Sequence, residues 1–369
     1  MANIRDVARL AGTSVATVSA VLNRSSPVSP SLRARVLQAI QQLNYHPSAV
    51  ARSLSTRKTC TIGLVMPYIL TPAAPPFIRA IENEVTNAGY SLLLALSDGD
   101  PKREREMIQL MAQKRVDGLL VSVGSSSDEG TADQIEALRA SGTTKVVFAA
   151  RRSERLKSLD AVVSDNLGGA HAATSHLLDL GCTDIALLAL PAVGLVERDR
   201  VRGFELAHRE RNVTPRPELR HWGSPSQNPD SIALAHAITR DLFNLARPPD
   251  AILVCNQTMV LGVLQALGEL GLGVPGDVAL VCFDDAPWLQ RLSVPITAVS
   301  QRLDLVGRKA AHVLLQRLQQ GAAETSPPRL EVVPTELVVR ESTAGRAVLA
   351  SASRAPASAA ERTQQVLVD

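Results

Sequence analysis

Two hydroxyl-bearing side chains, Thr17 and Ser19, stand in a stretch whose charge differs sharply from the rest of the chain. Residues 1–60 contain eight Lys or Arg and one acidic residue, Asp6, a net charge of +7; the other 309 residues carry 31 basic and 35 acidic side chains, a net of −4. Hydroxyls and guanidiniums gathered in this way hydrogen-bond phosphate oxygens, so the chemistry on offer is recognition of a polyanion. Bond-breaking chemistry is not written in the chain. No GxSxG, Walker loop, HExxH or GxGxxG fingerprint opens a helix, and the neighbouring carboxylates Asp284 and Asp285 have no His or metal-ligand partner near them in sequence. The expectation is a protein that is not an enzyme and uses no cofactor or metal.

The elements that must hold those hydroxyls are short helices. Ile4, Val7, Ala8 and Ala11 recur at i, i+3, i+4 and i+7, an apolar stripe on a first helix with Asn3 as N-cap and Asp6 in the first turn. Gly12 breaks that helix. Thr13 and Ser14 can cap a second one, which runs through Val15, Val18, Ala20, Val21 and Leu22 to Asn23. Two short helices across a Gly-containing turn form the helix-turn-helix pattern, whose second helix enters the major groove. After a polar loop at 25–30, Ser29 and Pro30 open a third helix with Leu32, Val36, Leu37, Ile40 and Leu43 on one face.

From residue 61 short aliphatic runs alternate with helical ones. Strands are expected at 61–66, 91–95, 118–123, 145–149, 161–164, 184–189, 251–255, 278–283 and 297–299, with helices at 76–88, 103–114, 168–180, 200–211, 257–270 and 303–318. This alternation means parallel sheets covered on both faces, and ligands in such folds sit at the edge where strands end. Cys60, Cys182, Cys255 and Cys282 are scattered without a CxxC or Cys/His pairing, which points to a reducing cytosol. The opening MANIRDVARLAG has no apolar signal core, and no later run approaches the roughly 18 apolar residues of a membrane span, so neither export nor membrane insertion is expected. The tail at 341–369 turns Ala/Ser-rich after Gly345 and contains no leucine heptads; it reads as disordered, with no tetramer-forming coiled coil.

The segment after the third helix, Asn44-Tyr45-His46-Pro47-Ser48-Ala49-Val50-Ala51-Arg52-Ser53-Leu54, completes a set of motifs. Together with Asp6-Val7-Ala8, Ala11-Gly12, Ser14, Thr17-Val18-Ser19, Leu22-Asn23 and Val28-Ser29 it resembles the headpiece and hinge of the LacI/GalR family of bacterial transcription repressors, and the similarity extends to about residue 340. The resemblance implies a small all-α helix-turn-helix headpiece at 1–46, a hinge at 47–60 and an α/β body at 61–340. The body would be two-lobed, like a periplasmic binding protein with parallel sheets, its lobes about 61–161 with 291–330, and 162–290. Partners implied are a double-stranded operator with pseudo-palindromic sequence, a second copy of the chain and a small-molecule effector, in the cytoplasm and away from any membrane.

Residue by residue, the resemblance places Thr13, Ser14, Thr17, Ser19, Asn23 and Arg24 at DNA, largely on phosphates, and puts Val15, Ala16 and Ala20 where relatives read base edges. These three are apolar, and many relatives carry an Arg at the position of Ala20, so readout is expected to lean on thymine methyls and DNA shape. Ser48, Ala51, Arg52 and Leu54 belong to a hinge too short to be helical alone in water; it is expected to fold against its twin on DNA, with Leu54 as a minor-groove wedge. Ordinary linker packing is the other reading of Leu54.

In the cleft, Pro76, Phe77, Arg151, Asp165, Arg200, Asn256 and Asp284 match the ligand-contacting pattern, with Arg200 forking onto ligand oxygens and Asp284 accepting from adjacent hydroxyls. Asn256-Gln257 stands where sugar-binding relatives have Asn-Asp, and Ala149-Ala150-Arg151-Arg152 where they have an Asp before Arg. Both departures delete a carboxylate, which suits an anionic effector such as a sugar acid or sugar phosphate; alternatively Arg151 or Arg152 merely pairs with Glu154. Tyr68 and Phe77 either stack on a ligand ring or cover the first helix of the lobe. The competing reading is a solute-binding protein of a transport system with no DNA role, opposed by the +7 head and the missing signal core.

Overall fold

Hydrophobic periodicity separates a helical head from an α/β body, and a computed structural model of the chain divides it between Cys60 and Thr61. The structure describes residues 2–23, 27–45, 58–124, 128–189, 194–222, 230–320 and 327–344. In the head, α1 (Ile4–Leu10), α2 (Val15–Asn23) and α3 (Pro30–Gln42) pack Val7, Ala8 and Ala11 against Val18, Val21, Val36 and Ala39. Asn3 closes a capping box: its side-chain oxygen accepts the Asp6 N–H at 3.2 Å, and the Asp6 carboxylate accepts the Asn3 N–H at 3.0 Å. Gly12 turns the chain at φ +61°, a left-handed conformation that disfavours any residue with a Cβ. Leu37 departs from the expected face of α3: it is 52% exposed. Val36, Ala39, Ile40 and Leu43 already fill the i, i+3, i+4, i+7 stripe, and Leu37 is rotated out of it by about 100°.

In the body, aliphatic runs form strands buried on both faces. The first sheet contains β1 (Thr61–Met66), β2 (Ser91–Leu96), β3 (Gly118–Val121), β4 (Lys145–Ala150) and β5 (Asp160–Ser164), connected through α4 (Ala74–Asn87), α5 (Pro101–Gln113) and α6 (Glu129–Ala140). After α7 (Asn166–Asp179) the second sheet contains β6 (Ile185–Ala189), β7 (Arg220–Trp222), β8 (Ala251–Val254), β9 (Ala279–Phe283) and β10 (Thr297–Ser300), connected through α8 (Leu195–Glu210), α9 (Asp230–Phe243) and α10 (Gln257–Glu269). Then α11 (Leu303–Gln320) and β11 (Leu330–Val333) return to the first lobe, and β12 (Glu336–Val338) ends on the second sheet. The strand orders are β11-β5-β4-β3-β1-β2 and β12-β10-β9-β8-β6-β7; β12 runs antiparallel to β10 and the other described pairs are parallel. Strand residues alternate between two cores per sheet, Ile62 and Leu64 facing α4 and α11, Val65 and Leu119 facing α5 and α6.

The chain passes between lobes near 165, at 301–302 and at 334–335, later than the expected 161, 290 and before 330. The largest correction has a packing cause: Leu289 and Ile296 are fully buried in the core of the second lobe, and Thr297–Val299 pair with Val281–Phe283, so the chain stays in that lobe until β10 ends. Helices α6 and α9 and strands β7, β11 and β12 were outside the expected set. The strands are three or four residues long at sheet edges, too short for a period-two pattern to register.

Candidate functional site

The start of α2 is exposed. Val15 and Ala16 project from the start of α2, with Thr13, Thr17, Ser19 and Ala20 half-buried beside them. Ser14 caps the helix by accepting the Thr17 N–H at 3.1 Å, and its hydroxyl lies 2.9 Å from that of Thr17. Arg5, Arg9, Arg33 and Arg35 are exposed on the three helices, and among the described residues only Arg9 is ion-paired, with Asp6 at 2.9 Å. Methyl groups, hydroxyls and a positive helix end together suit thymine methyls and phosphate oxygens. Of the remaining expected DNA contacts, Arg24, Ser48, Ala51, Arg52 and Leu54 lie outside the described residues, as does the side chain of Asn23.

The body holds an open cavity where strand ends of both sheets converge, the place where ligands sit in folds of this kind. From the first lobe come Tyr68 after β1, Phe77 in α4, Ser122 after β3 and Arg151 after β4. From the second come Glu197 and Arg200 in the first turns of α8, Asn256 and Gln257 after β8, and Asp284 after β9; Gln301 follows β10. Two lining residues, Ala150 at φ +66° and Asp284 at φ +80°, adopt left-handed backbone without being glycine, the kind of local strain that a surrounding site maintains.

Arg200 is the most constrained of these side chains. Its Nε donates to Asn166 Oδ1 at 3.0 Å and Nη1 to the Cys255 carbonyl at 2.6 Å, while Nη2 stands 3.6 Å from Asp284 Oδ1. The guanidinium lies 3.8 Å above the Phe283 ring, which leaves its plane fixed by packing as well as by hydrogen bonds. Asp284 also accepts from Gln301, and Asn256 caps α10 through the Thr258 N–H at 2.8 Å.

Five of the seven expected cleft residues meet here: Phe77, Arg151, Arg200, Asn256 and Asp284. Pro76 does not. It is exposed on the first turn of α4, one position from buried Phe77 on a different side of the helix. Asp165 does not line the cavity either; its carboxylate caps α7 by accepting the Gly168 N–H at 2.8 Å and faces an adjoining cavity with Arg152 and Asp199.

The expected shortage of carboxylates is also corrected. Glu197, a residue that sequence reasoning passed over inside the run Glu197-Arg198-Asp199-Arg200, places Oε1 2.7 Å from Arg151 Nη2, and Glu154 pairs with Arg198 rather than with Arg151 or Arg152. Burial pushes the Glu197 carboxyl up, but the charge and hydrogen bond of Arg151 outweigh it and hold the group below its usual range. Tyr68 is pushed up by burial.

Behind this wall Glu104 is 1% exposed, accepts the Gly124 N–H at 2.6 Å through Oε2, and has no donor for Oε1 among the described residues. Burial pushes its carboxyl up to about 6 from an ordinary 4.5. The folded state therefore favours the protonated form, and stability from this group is complete below the unfolded value and lost as pH rises through about 6. A shift of that size corresponds to about 2 kcal/mol. Glu104→Gln, which imitates the protonated carboxyl, is expected to gain about that much over wild type between pH 4.5 and pH 7 in urea unfolding. Parallel stability curves for the two proteins would show that water reaches the carboxylate.

Comparison with known proteins agrees with this geometry. Residues 3–48 match the model of bacterial regulatory proteins of the lacI family, and residues 174–343 that of a periplasmic binding protein-like domain. The chain is 33% identical over 342 residues to the HTH-type transcriptional repressor PurR of Actinobacillus pleuropneumoniae serotype 3 (strain JL03), covering 93% of this chain and 98% of the relative. Against PurR of Haemophilus influenzae (strain PittEE) the identity is 32% over 345 residues, with the same coverage. Among solved structures, the Lac repressor dimer bound to operator and the anti-inducer ONPF superposes with a TM-score of 0.80 at 26% identity, covering 93% of this chain and 99% of that one. The complex of the transcriptional regulator CelR with cellobiose gives 0.68 at 27% identity, covering 93% and 100%.

Proposed function

This chain belongs to the LacI family of bacterial regulatory proteins, and from that premise we propose that it is a transcriptional repressor whose hold on an operator is set by a small molecule bound between the two lobes of its body. The observation that carries the proposal is the presence in one chain of a capped helix-turn-helix head and a cavity at the strand ends containing the clamped Arg200. No described helix is long and apolar enough to cross a membrane, and the proposed role is exercised in the cytoplasm, where the operator is.

Thr13, Ser14, Thr17, Ser19, Asn23 and Arg24 position the head on phosphates, with Val15, Ala16 and Ala20 against base edges; Ser48, Ala51, Arg52 and the Leu54 wedge belong to the hinge that folds on DNA. One head of three short helices buries too little surface for a specific site, so two copies read a pseudo-palindrome. In the body, Phe77, Arg151, Arg200, Asn256 and Asp284 contact the effector. The relative bound to cellobiose supports a sugar-like ligand, whereas the charge balance of the cleft weighs against an anionic one.

The test is selection of bound fragments from a genomic library followed by footprinting. Two symmetric half-sites are expected, and affinity is expected to fall about a thousandfold between 50 and 200 mM salt for some six neutralised phosphates. A transport component would retain no fragment, and a single asymmetric half-site bound at full affinity would remove the dimeric reading.

A further inference from the structure

We infer that Glu197, acting through Arg151, makes the cleft select an uncharged effector that brings several hydrogen-bond donors. The inference rests on the cleft being the effector site. Arg151 comes from the first lobe and Glu197 from the second, and their 2.7 Å contact crosses the cavity. Nε of Arg151 is already committed to the Val123 carbonyl at 3.0 Å. Arg200 is committed to Asn166, the Cys255 carbonyl and Asp284. Each guanidinium in the cavity thus has its own carboxylate, and the four formal charges cancel.

The charges around this core add no attraction for an anion. Glu104 lies behind the first-lobe wall, and Asp98, also near Tyr68, is ion-paired with Arg103. An entering carboxylate or phosphate must displace Glu197 from Arg151 or share a guanidinium at close range with Glu197 or Asp284, and like charges brought together in a partly dry site are costly.

Acceptors, by contrast, line the cavity: the carboxylates of Glu197 and Asp284 and the carboxamide of Gln257 stand on its wall. Oε2 of Glu197 abuts Gly194, where an added Cβ would come within 2.4 Å of it, so the sequence keeps that flank bare. Carboxylate and carboxamide oxygens on such a wall accept an incoming O–H or N–H, which sugars and nucleobases both supply.

The experiment is calorimetry on the full chain with matched neutral and anionic ligands: cellobiose and cellobionate, ribose and ribose 5-phosphate, hypoxanthine and urate. In the pair that binds, the neutral member is expected to bind about 10- to 100-fold more tightly, the worth of a hydrogen bond to a charged group set against an unpaired charge. The sugar and purine arms identify which source of donors the site accepts. Glu197→Gln frees Arg151, so the preference is expected to shrink or invert. The charge-neutral double variant Arg151→Gln, Glu197→Gln is expected to restore it, which a general folding defect would not do. Tighter binding of the anionic member by wild type, an unchanged ratio in Glu197→Gln, or no neutral ligand binding at millimolar concentration would overturn the inference. A neutral ligand that binds as expected but leaves operator affinity unchanged would instead count against the repressor reading.

Discussion

Arg200→Ala is expected to lower the stability of the body by about 3 to 5 kcal/mol and to abolish effector binding, because the substitution removes one member of a buried pair and leaves the other charged. The side chains of Arg200 and Asp284 are 9% and 16% exposed, and the Cys255 carbonyl and Asn166 Oδ1 lose their donor at the same time. Arg200→Lys is not expected to rescue the loss. An ammonium cannot reach three acceptors in different directions while lying flat on the Phe283 ring. Urea unfolding of the three proteins measures the stability change. A loss below about 1 kcal/mol in the alanine variant would mean that water replaces the guanidinium freely and that the site is wet rather than preorganised.

Gly203→Val is expected to be as damaging, although position 203 is outside the cavity. A Cβ there would lie 2.3 Å from the Leu167 carbonyl oxygen and 2.8 Å from the His171 nitrogen, both backbone atoms of α7. Backbone cannot yield as a flexible side chain does, so α7 and α8 must separate, at about 3 kcal/mol or more. The same separation stretches the bond from Arg200 on α8 to Asn166 on α7, so effector affinity should fall together with stability. Gly268, also helical, has no atom within 4 Å of its added Cβ. Gly268→Ala is therefore the control, expected to be neutral or stabilising by up to about 1 kcal/mol. Equal behaviour of the two variants in thermal unfolding would refute the close-approach argument.

Local patterns were legible in the sequence, and contacts across the fold were not. The head could be read because its core is a matter of i, i+3, i+4 spacing and its caps lie within three residues of the groups they satisfy, as in Asn3 with Asp6 and Ser14 with Thr17. Leu37 imitates a stripe residue because it lies next to a true one, Val36. The main strands and six helices of the body could be read for the same reason. Glu197 could not, since its partner Arg151 is 46 positions away and a Glu-Arg-Asp-Arg run on a helix has the look of a solvated face. Asp165 carried the opposite ambiguity: a carboxylate after a strand serves equally as a cap or as a ligand contact, and Gly168 three residues on was the signal for the cap. The crossing near 301 was obscured because Leu289 and Ile296 belong to the core of the lobe that the chain is about to leave.

The return of α11 to the first lobe has a consequence for biosynthesis. Val306, Ala310, Ala311, Val313 and Leu314 fill a core begun by Ile62 and Leu64, and Ser342 donates to the Leu280 carbonyl at 2.6 Å to close the back of the second sheet. A chain leaving the ribosome can complete the head once residue 45 has emerged, whereas neither lobe has its full complement of apolar and polar partners until α11 and Ser342 have followed. Contacts of such long sequence separation form slowly. Each newly made molecule therefore passes through an interval in which the part that grips DNA exists before the part that listens for the effector.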